Sequence, residues 1–312
     1  MRERKVLLEK DNGQIPLSLC IPTNGVTDWV EPVLESIYAQ DVTEDAFEVV
    51  VTDNGDNADF YDMMQSWCAE HNNIRYRKTT AQGFLNQIEC FRDADGEYIK
   101  FVNHRMMLQE GALQHLLDFI TVNRENKPIC YFLNGCLPLP KISQYDDFDG
   151  FVRALSYYSS WSAGLGVWKT DFMSLAQDHI YNKLFPHTDM LLHNYAKRCY
   201  IIDNYSLMKS LPENHPKGKY NLFYAFAVEY PGIINDLYRK GDISVQTLLH
   251  VKKYLLNFLA DLYIDYCILH RSCSYELSSI WENVDVYFCQ DKFLLKIILR
   301  FAKRAIKKIF FH

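Results

Sequence analysis

The first half of the chain alternates short apolar runs with longer segments of helical periodicity. Between the runs, apolar residues recur every three to four positions, which predicts helices near residues 28–38, 58–71, 83–92 and 111–123. Strands are predicted at residues 15–21, 47–52, 74–78, 98–102 and 129–133, the first of them as a buried apolar run. This alternation indicates an α/β fold with a mainly parallel sheet and helices on both faces.

The pattern changes beyond residue 135. Residues 138–150 are rich in Pro, Lys and Asp and predict a loop, whereas residues 161–169 predict another strand. From residue 221 onward the spacing is almost wholly helical. We therefore expect a first domain over residues 1–220 and a helical C-terminal region over residues 221–312.

Composition and charge narrow the class of protein. The 312 residues are 48% hydrophobic, which excludes a disordered chain, and the net charge of −6 argues against a nucleic-acid partner. The nine cysteines form no C-x-x-C pair, so we expect free thiols in a reducing, cytoplasmic setting rather than a zinc ribbon. No signal-peptide core and no run of 18 uncharged apolar residues occur, so no spanning helix is expected.

The charge is unevenly distributed along the chain. Residues 292–312 hold seven Lys/Arg and no Asp/Glu, and the basic residues recur every three to four positions among apolar ones. This pattern predicts a basic amphipathic helix that can lie on an anionic membrane surface. The alternative is a helix docked on the body by its apolar face, near acidic regions.

The carboxyl ends of the predicted strands should form the functional crevice. Right-handed crossovers place the loops Thr23–Gly25, Asp53–Asp56 and Asn103–Arg105 at one edge of the sheet, where ligands of open α/β sheets bind. The first of these loops has a single glycine, which excludes a G-x-G-x-x-G dinucleotide site, and no Walker A lysine loop occurs. Asp53 could accept hydrogen bonds from a nucleobase or a ribose, although Asp-Asn-Gly also forms turns without function.

The order of motifs resembles that of the family 2 glycosyltransferases, which have the GT-A fold. The resemblance covers residues 15–120 well and residues 155–240 loosely. It implies a nucleotide-diphosphate sugar donor, with UDP as the first expectation, held by Thr23, Asp53, Gly83 and Asn86. The motifs are Ile21-Pro-Thr-Asn24, Leu34-Glu-Ser-Ile37, Glu48-Val-Val-Val-Thr-Asp-Asn-Gly55, Gly83-Phe-Leu-Asn86, Asp95-Gly-Glu-Tyr-Ile-Lys-Phe-Val102 and Met107-Leu-Gln-Glu-Gly-Ala-Leu113.

One departure from the family concerns the metal. The resemblance implies a D-x-D motif that holds Mg²⁺ or Mn²⁺, but the equivalent stretch is Asn103-His104-Arg105. Three interpretations stay open: Arg105 and His104 neutralise the diphosphate without a metal, Asn103 and His104 bind a metal weakly, or the protein binds a sugar nucleotide without turnover. A literal D-x-D at residues 93–95 precedes its strand, so we interpret it as a turn at the opposite end of the sheet.

The resemblance also implies a carboxylate base near the start of a later helix. Asp189, in the segment Leu184–Leu192, fits that position and would take the proton from the acceptor hydroxyl. An Asp in the first turn of a helix is also favoured by the helix dipole alone. His187 is a second contact of this site or a surface histidine.

Acceptor contacts are expected around two further segments. By the same resemblance Trp161 and Gly164 lie near the acceptor, although a tryptophan packed in the core is the commoner case. The basic loop that contains Lys217 and Lys219 could reach a diphosphate, or it could simply be solvated.

Together these features predict an inverting glycosyltransferase that extends a glycan or a lipid-linked saccharide in surface polysaccharide assembly. It would be peripheral, at the inner face of the plasma membrane. A non-catalytic sugar-nucleotide-binding protein of the same fold is the first alternative, supported by the missing acidic motif. A nucleotidyltransferase is the second, but its paired carboxylates and basic Gly-rich loop are not found.

Overall fold

The computed structural model describes residues 15–175, 179–193, 196–197, 199–212 and 219–310. For residues 307–310 it describes the backbone alone. The chain forms two compact units. The first comprises the described residues up to Asp146 together with Trp161–Leu211, and the second comprises Asp147–Ser160 and the described residues from Pro212 onward. Residues 147–160, which the sequence analysis places in the first domain, thus pack within the second unit.

The strands and helices of the described residues are numbered in chain order. The strands are β1 Leu17–Thr23, β2 Phe47–Asp53, β3 Ile74–Lys78, β4 Tyr98–Phe101, β5 Met106–Leu108, β6 Ile129–Phe132, β7 Ile142–Tyr145, β8 Gly166–Trp168, β9 Tyr200–Asp203 and β10 Met208–Ser210. The helices are α1 Thr27–Tyr38, α2 Ala58–Glu70, α3 Asn86–Asp93, α4 Ala112–Asn123, α5 Phe148–Leu155, α6 Lys169–Ser174, α7 Pro186–His193, α8 Leu222–Tyr224, α9 Tyr230–Lys240, α10 Val245–Tyr263, α11 Ile280–Asp285 and α12 Gln290–Phe310.

The main sheet of the first unit has the strand order β3-β2-β1-β4-β8. Strands β1 to β4 pair in parallel, and β8 closes the order by pairing antiparallel with β4. A three-stranded sheet of order β6-β9-β7 follows, and an isolated bridge joins Tyr131 of β6 to Leu165 just before β8. Strands β5 and β10 form a separate antiparallel pair. The predicted α/β fold with a mainly parallel sheet is confirmed.

The core of the first unit explains why the apolar runs become strands. All seven residues of β2 are buried, as in a parallel strand covered on both faces. Helix α1 adds a stripe at helical spacing, with Val30, Val33, Leu34 and Ile37 fully buried against this sheet. The alternation in the sequence therefore positions the carboxyl ends of β1, β2 and β4 at one edge.

The region predicted as a loop, residues 138–150, contains regular structure. Strand β7 has partly exposed residues throughout and pairs only with β9, so its polar sequence suits the edge of a sheet. Helix α5 begins after Asp147, whose carboxylate accepts a hydrogen bond from the backbone N–H of Gly150 at 2.7 Å. Within the predicted strand 161–169, only Gly166–Trp168 pairs as a strand, because residues 162–164 form a 3₁₀ turn.

The D-x-D sequence at residues 93–95 is engaged in surface ion pairs. Asp93 ends helix α3 and accepts a hydrogen bond from Arg77 Nε at 2.6 Å. Asp95 lies 3.0 Å from a guanidinium nitrogen of Arg75. Both residues precede β4, so they lie at the end of the sheet opposite the carboxyl ends of the parallel strands.

The second unit is helical, as its spacing predicts. Helix α10 buries Val251, Leu255 and Leu259 along one face, and its N-terminus is capped by Ser244. The buried hydroxyl of Tyr230 in α9 lies 2.9 Å from that of Ser159, which ties residues 147–160 into this unit. Among the helices that the structure describes, none combines the length and the apolar character needed to cross a bilayer.

Candidate functional site

The ends of β1, β2 and β4 bring several predicted residues together. The strand register places Thr23 opposite Asp53 at the carboxyl ends of β1 and β2. The segment after β4 folds over the end of β1, since Nδ1 of His104 lies 3.0 Å from the hydroxyl of Thr23. We call the carboxyl ends of these strands, with the loops that follow them, the rim.

Asp53 is fully buried at the rim and already has several partners. Its Oδ1 accepts a hydrogen bond from Gly55 N at 2.7 Å, and its Oδ2 accepts from the hydroxyl of Tyr76 at 3.0 Å and from Lys78 Nζ at 3.1 Å. Gly25 packs against the same carboxylate: a Cβ there would lie 3.1 Å from Oδ1, and its φ of +74° favours glycine. Asp53 therefore holds the rim together, and half-exposed Lys78 stands in front of it.

The side chain of Asn86 stabilises the rim from below. Its Nδ2 donates to the carbonyl oxygens of Thr23 at 3.1 Å and of Thr52 at 2.8 Å, so it links the ends of β1 and β2. Gly83 is exposed nearby, and its carbonyl oxygen accepts from Nδ2 of Asn54 at 3.1 Å. The structure thus places Asn86 beneath the rim and Gly83 on it.

The segment 103–105 supplies one cation and one neutral ring. Oδ1 of Asn103 accepts from the backbone N–H of Arg105 at 3.0 Å, which fixes a tight turn. The guanidinium of Arg105 lies 5.1 Å from the ring centroid of buried Trp29 in α1, and no carboxylate among the described residues pairs with it. Desolvation, with the Arg105 charge as a second cause, lowers the pKa of His104 from 6.5 to about 3. Arg105 is therefore the charged group of this segment at neutral pH.

These residues do not fit a hard divalent cation. Within the described part of the chain, no group of three or more His, Cys, Asp and Glu side chains is arranged to hold a metal. Asn103 Oδ1 is engaged in its own turn, His104 Nδ1 faces Thr23, and Arg105 adds a positive charge beside both. Mg²⁺ and Mn²⁺ prefer several oxygen ligands, carboxylates above all, and this segment offers no carboxylate.

Asp189 lies in the first turn of α7, as predicted, within a separate cluster. Its Oδ2 is 3.1 Å from Nε2 of His179 and accepts from the backbone N–H of Asn182 at 3.2 Å. The carboxyl group is partly exposed, with a side-chain exposure of 25%. His187, in the same turn, is 6% exposed, so the surface alternative for that histidine is wrong. His179 and the backbone of Asn182 thus hold the carboxylate of Asp189 in place.

The predicted acceptor residues are distributed over both units. Trp161 packs partly buried against the core of the first unit, and its carbonyl oxygen accepts from the hydroxyl of Tyr131 at 2.7 Å. Gly164 is buried with the ring of Tyr131 beside it, so its small size serves packing. Lys219 is exposed in the second unit, and Lys217 lies outside the described residues.

Sequence reasoning missed two groups of site residues. Tyr76 and Lys78 of β3 reach Asp53 because the register pairs β3 with β2, and only the general pattern of parallel neighbours could have signalled this. The second group is an Asp-His pair: Nε2 of His115 in α4 lies 2.6 Å from Oδ2 of buried Asp203 at the end of β9. The half-exposed ring of Tyr205 lies 4.7 Å from His115. No motif in the sequence marks this pair.

Comparison with known proteins identifies a family match in the first unit. Residues 18–132 match the family model described as "Glycosyl transferase family 2". The match spans β1 to β6 and so includes the rim and the segment 103–105. No curated protein sequence matches the chain.

Solved structures show the same fold at low sequence identity. TarS residues 1–349 from S. aureus superposes with a TM-score of 0.57 and 14% identity, covering 80% of this chain and 74% of that one. The same TarS fragment in complex with UDP-GlcNAc has a TM-score of 0.54 at 14% identity, covering 80% and 73%. The mannosyltransferase PcManGT from Pyrobaculum calidifontis, in complex with GDP-Man and Mn²⁺, has a TM-score of 0.50 at 13% identity, covering 94% and 81%.

The fold and the family match together give the class of protein: a glycosyltransferase with the GT-A fold. Its resemblance to family 2 is confirmed, and residues 18–132 form a family 2 glycosyltransferase domain.

Proposed function

We propose that the chain is an inverting glycosyltransferase that uses a nucleotide-diphosphate sugar, with a UDP-sugar as the first candidate. The observation that carries the proposal is the convergence of Thr23, Asp53 and Arg105 on one rim of a family 2 domain. Lys78 and Gly83 would contact the nucleoside end, since both are exposed beside Asp53 and Asn54. The UDP-GlcNAc and GDP-Man complexes of TarS and PcManGT support this class of donor.

Arg105 is the residue that we assign to the diphosphate. A guanidinium matches phosphate oxygens through two parallel N–H donors, and it stays charged at any working pH. The face of Trp29 supports it from one side, which leaves its N–H groups available to a ligand. As the bond between the anomeric carbon and the diphosphate oxygen breaks, the electron pair goes to the diphosphate, and Arg105 stabilises that growing charge.

Asp189 is the residue that we assign to the acceptor. The acceptor hydroxyl oxygen forms the new bond to the anomeric carbon, and its proton passes to the Asp189 carboxylate. His179 and the backbone of Asn182 hold one carboxylate oxygen, so the other is presented in a fixed direction. Trp161, Gly164 and His187 of the same unit are further acceptor candidates among the described residues.

For the acceptor we propose a glycan or a lipid-linked saccharide of surface polysaccharide assembly, handled at the inner face of the plasma membrane. The basic C-terminal segment supports this setting, since residues 292–312 carry seven Lys/Arg and no acidic residue. The membrane part of the proposal is independent of the transfer chemistry.

A thermal-shift panel with UDP, GDP, CDP and dTDP, each with Mn²⁺ or EDTA, tests donor class and metal need together. We expect one nucleotide to raise Tm equally in both buffers, because Arg105 stands where the acidic motif is expected. Sugar transfer from the matching donor should then persist in EDTA. Stabilisation or transfer seen only with Mn²⁺ would overturn the metal-independent mechanism.

Release of nucleoside diphosphate distinguishes the transferase from the non-catalytic alternative. That alternative is favoured by Asp53 and Asn86 being engaged within the fold, so it predicts binding without release of nucleoside diphosphate from any donor. Release of nucleoside diphosphate that depends on an added acceptor supports the transferase, and its absence across a panel of saccharide acceptors supports the alternative.

A further inference from the structure

Helix α12 is held on α10 by its basic side. The guanidinium of Arg300 donates to the Asp261 carboxylate, with Nε at 2.7 Å from Oδ1. Arg304 donates to Asp261 and to Asp265, each at 2.7 Å. Phe293 of α12 is fully buried on the same side. Arg300 and Arg304, two of the cations predicted to face a membrane, are therefore paired within the fold.

Phe293 and Ile297 are buried on the docked side, near Asp261 and Asp265, as the alternative of a docked helix expects. A second set of apolar residues of α12 nevertheless stays exposed. At about 100° per residue the exposed residues fall within one half of the helix circumference, so they share one side of the helix. Each is between 41% and 57% exposed: Leu294, Leu295, Ile298, Leu299, Phe301 and Ile306. Large aliphatic side chains concentrated in this way on a surface mark an interaction site.

A groove of about 440 Å³ lies next to this face, between α10 and α12. Leu295 and Leu299 belong to both the groove and the exposed face. Four lysines line the groove, and none of its described lining residues is acidic: Lys252 and Lys253 come from α10, and Lys292 and Lys296 from α12. The groove and the exposed face together form what we call the lysine-leucine surface.

The four lysines that line the groove favour the binding of an anion. Lys252 lies 5.4 Å from the ring centroid of Tyr287, and desolvation lowers the pKa of its ammonium group. A partly desolvated lysine among three others lacks a counter-ion in the groove. A phosphate group would supply that charge, and an attached hydrocarbon chain would cover the leucines.

We propose that the lysine-leucine surface docks on an anionic phospholipid bilayer, with a lipid phosphate in the groove between α10 and α12. A second copy of the chain is a poorer occupant, because an isologous contact would bring four lysines against four. The proposal rests on the membrane part of the proposed function and deepens it: the contact includes α10 as well as α12, and it leaves out Arg300 and Arg304.

Vesicle flotation of the full chain tests the proposal. We expect binding to phosphatidylcholine vesicles that contain 30% phosphatidylglycerol, and no binding to pure phosphatidylcholine. The variant Lys252→Gln/Lys296→Gln should bind at least tenfold more weakly, since each cation near an anionic surface contributes on the order of 1 kcal/mol. The matched control Arg239→Gln/Lys240→Gln removes the same charge from exposed positions of α9 and should bind as the wild type does.

A second variant tests the apolar half of the surface. Leu295→Asn/Leu299→Asn replaces exposed side chains, so the fold should persist, as circular dichroism would verify, while vesicle binding is lost. Equal loss of vesicle binding in the Lys252/Lys296 variant and the Arg239/Lys240 control would overturn the proposal, and so would binding that does not depend on phosphatidylglycerol. So would a lipid-free dimer that the leucine variant dissociates. Nucleotide-induced thermal shifts of the same preparations, measured without lipid, report on the transferase proposal separately.

Discussion

At the scale of single residues, the segment after β4 carries a positive charge where the resemblance to family 2 implies negative ones. The family pattern places carboxylates after β4, and this chain places Asn103, His104 and Arg105 there. Because His104 stays neutral at physiological pH, the positive charge depends on Arg105 alone within this segment. The two side chains therefore differ in their contacts: His104 links to Thr23, and Arg105, which we assign to the donor diphosphate, stacks on Trp29.

Replacement of Arg105 should test that assignment directly. We expect Arg105→Gln to lower kcat by about 10²- to 10³-fold, the usual effect of removing one donor that stabilises a developing anion. Arg105→Lys should retain part of the activity, because it keeps the charge and loses the planar fork. Steady-state kinetics would measure both variants.

Arg77→Gln is a suitable control for Arg105, since Arg77 pairs with Glu89 and Asp93 on the surface of the same unit. It should leave kcat within twofold of the wild type. An Arg105→Gln enzyme with unchanged kcat would remove Arg105 from the mechanism.

Asp189 carries a second prediction at this scale. Asp189→Asn keeps the acceptor for His179 and Asn182 but cannot take a proton, so turnover should be lost while the nucleotide-induced shift in Tm is retained. His179→Gln should reduce turnover less, because it removes only one support of the carboxylate. Full activity of Asp189→Asn would assign the base to another residue.

The lowered pKa of His104 gives a prediction for stability against pH. The folded protein keeps this ring neutral down to about pH 3, whereas the unfolded chain protonates near 6.5. The unfolded state therefore binds more protons between these values, and the protein loses stability as pH falls, by up to about 1.4 kcal/mol per pH unit from this group. Urea unfolding of wild type and His104→Asn from pH 7 to pH 4 should show that the variant loses less. An equal loss of unfolding free energy with falling pH in the two proteins would contradict this prediction.

At the scale of elements, the sequence predicted those parts whose burial is uniform. Strands β1, β2 and β4 and helices α1 to α4 follow from the apolar pattern, because each buries a run or a stripe. Strand β3 was predicted as well, although only Ile74 of its five residues is buried. Strand β7 and helix α5 escaped prediction because β7 is a polar edge strand and α5 begins in a charged segment. Pairing registers, which bring Lys78 and Tyr76 to Asp53, are set by three-dimensional packing and leave no local pattern.

Gly164 provides a prediction at this scale. A Cβ on Gly164 would lie 2.1 Å from an atom of the Tyr131 ring, so β6 and the turn before β8 could not keep their contact. We expect Gly164→Ala to destabilise the protein by about 1–3 kcal/mol, as overpacked cores do. Urea unfolding would measure the change. Gly232→Ala in α9 is the matched control, since its Cβ has room and alanine favours a helix.

At the scale of the whole molecule, the sequence predicted a division into an α/β part and a helical part but not the chain's path between them. Residues 147–160 enter the second unit because their packing partners, such as Tyr230 and Ser244, belong to it. The basic tail was predicted from its charge, and its orientation was not, because Asp261 and Asp265 lie about 40 positions away in the sequence. The charge that remains on the surface is thus set by tertiary pairing.

The stacking of Arg105 on Trp29 has a practical consequence. Trp29 is buried directly behind the cation that we assign to the donor diphosphate, so any ligand that draws the guanidinium away alters the surroundings of an indole. Intrinsic emission should then report arrival of the donor in real time, with a Trp29→Phe protein as the silent reference. The binding pocket would carry its own optical probe, and no dye would be needed to follow how fast it fills.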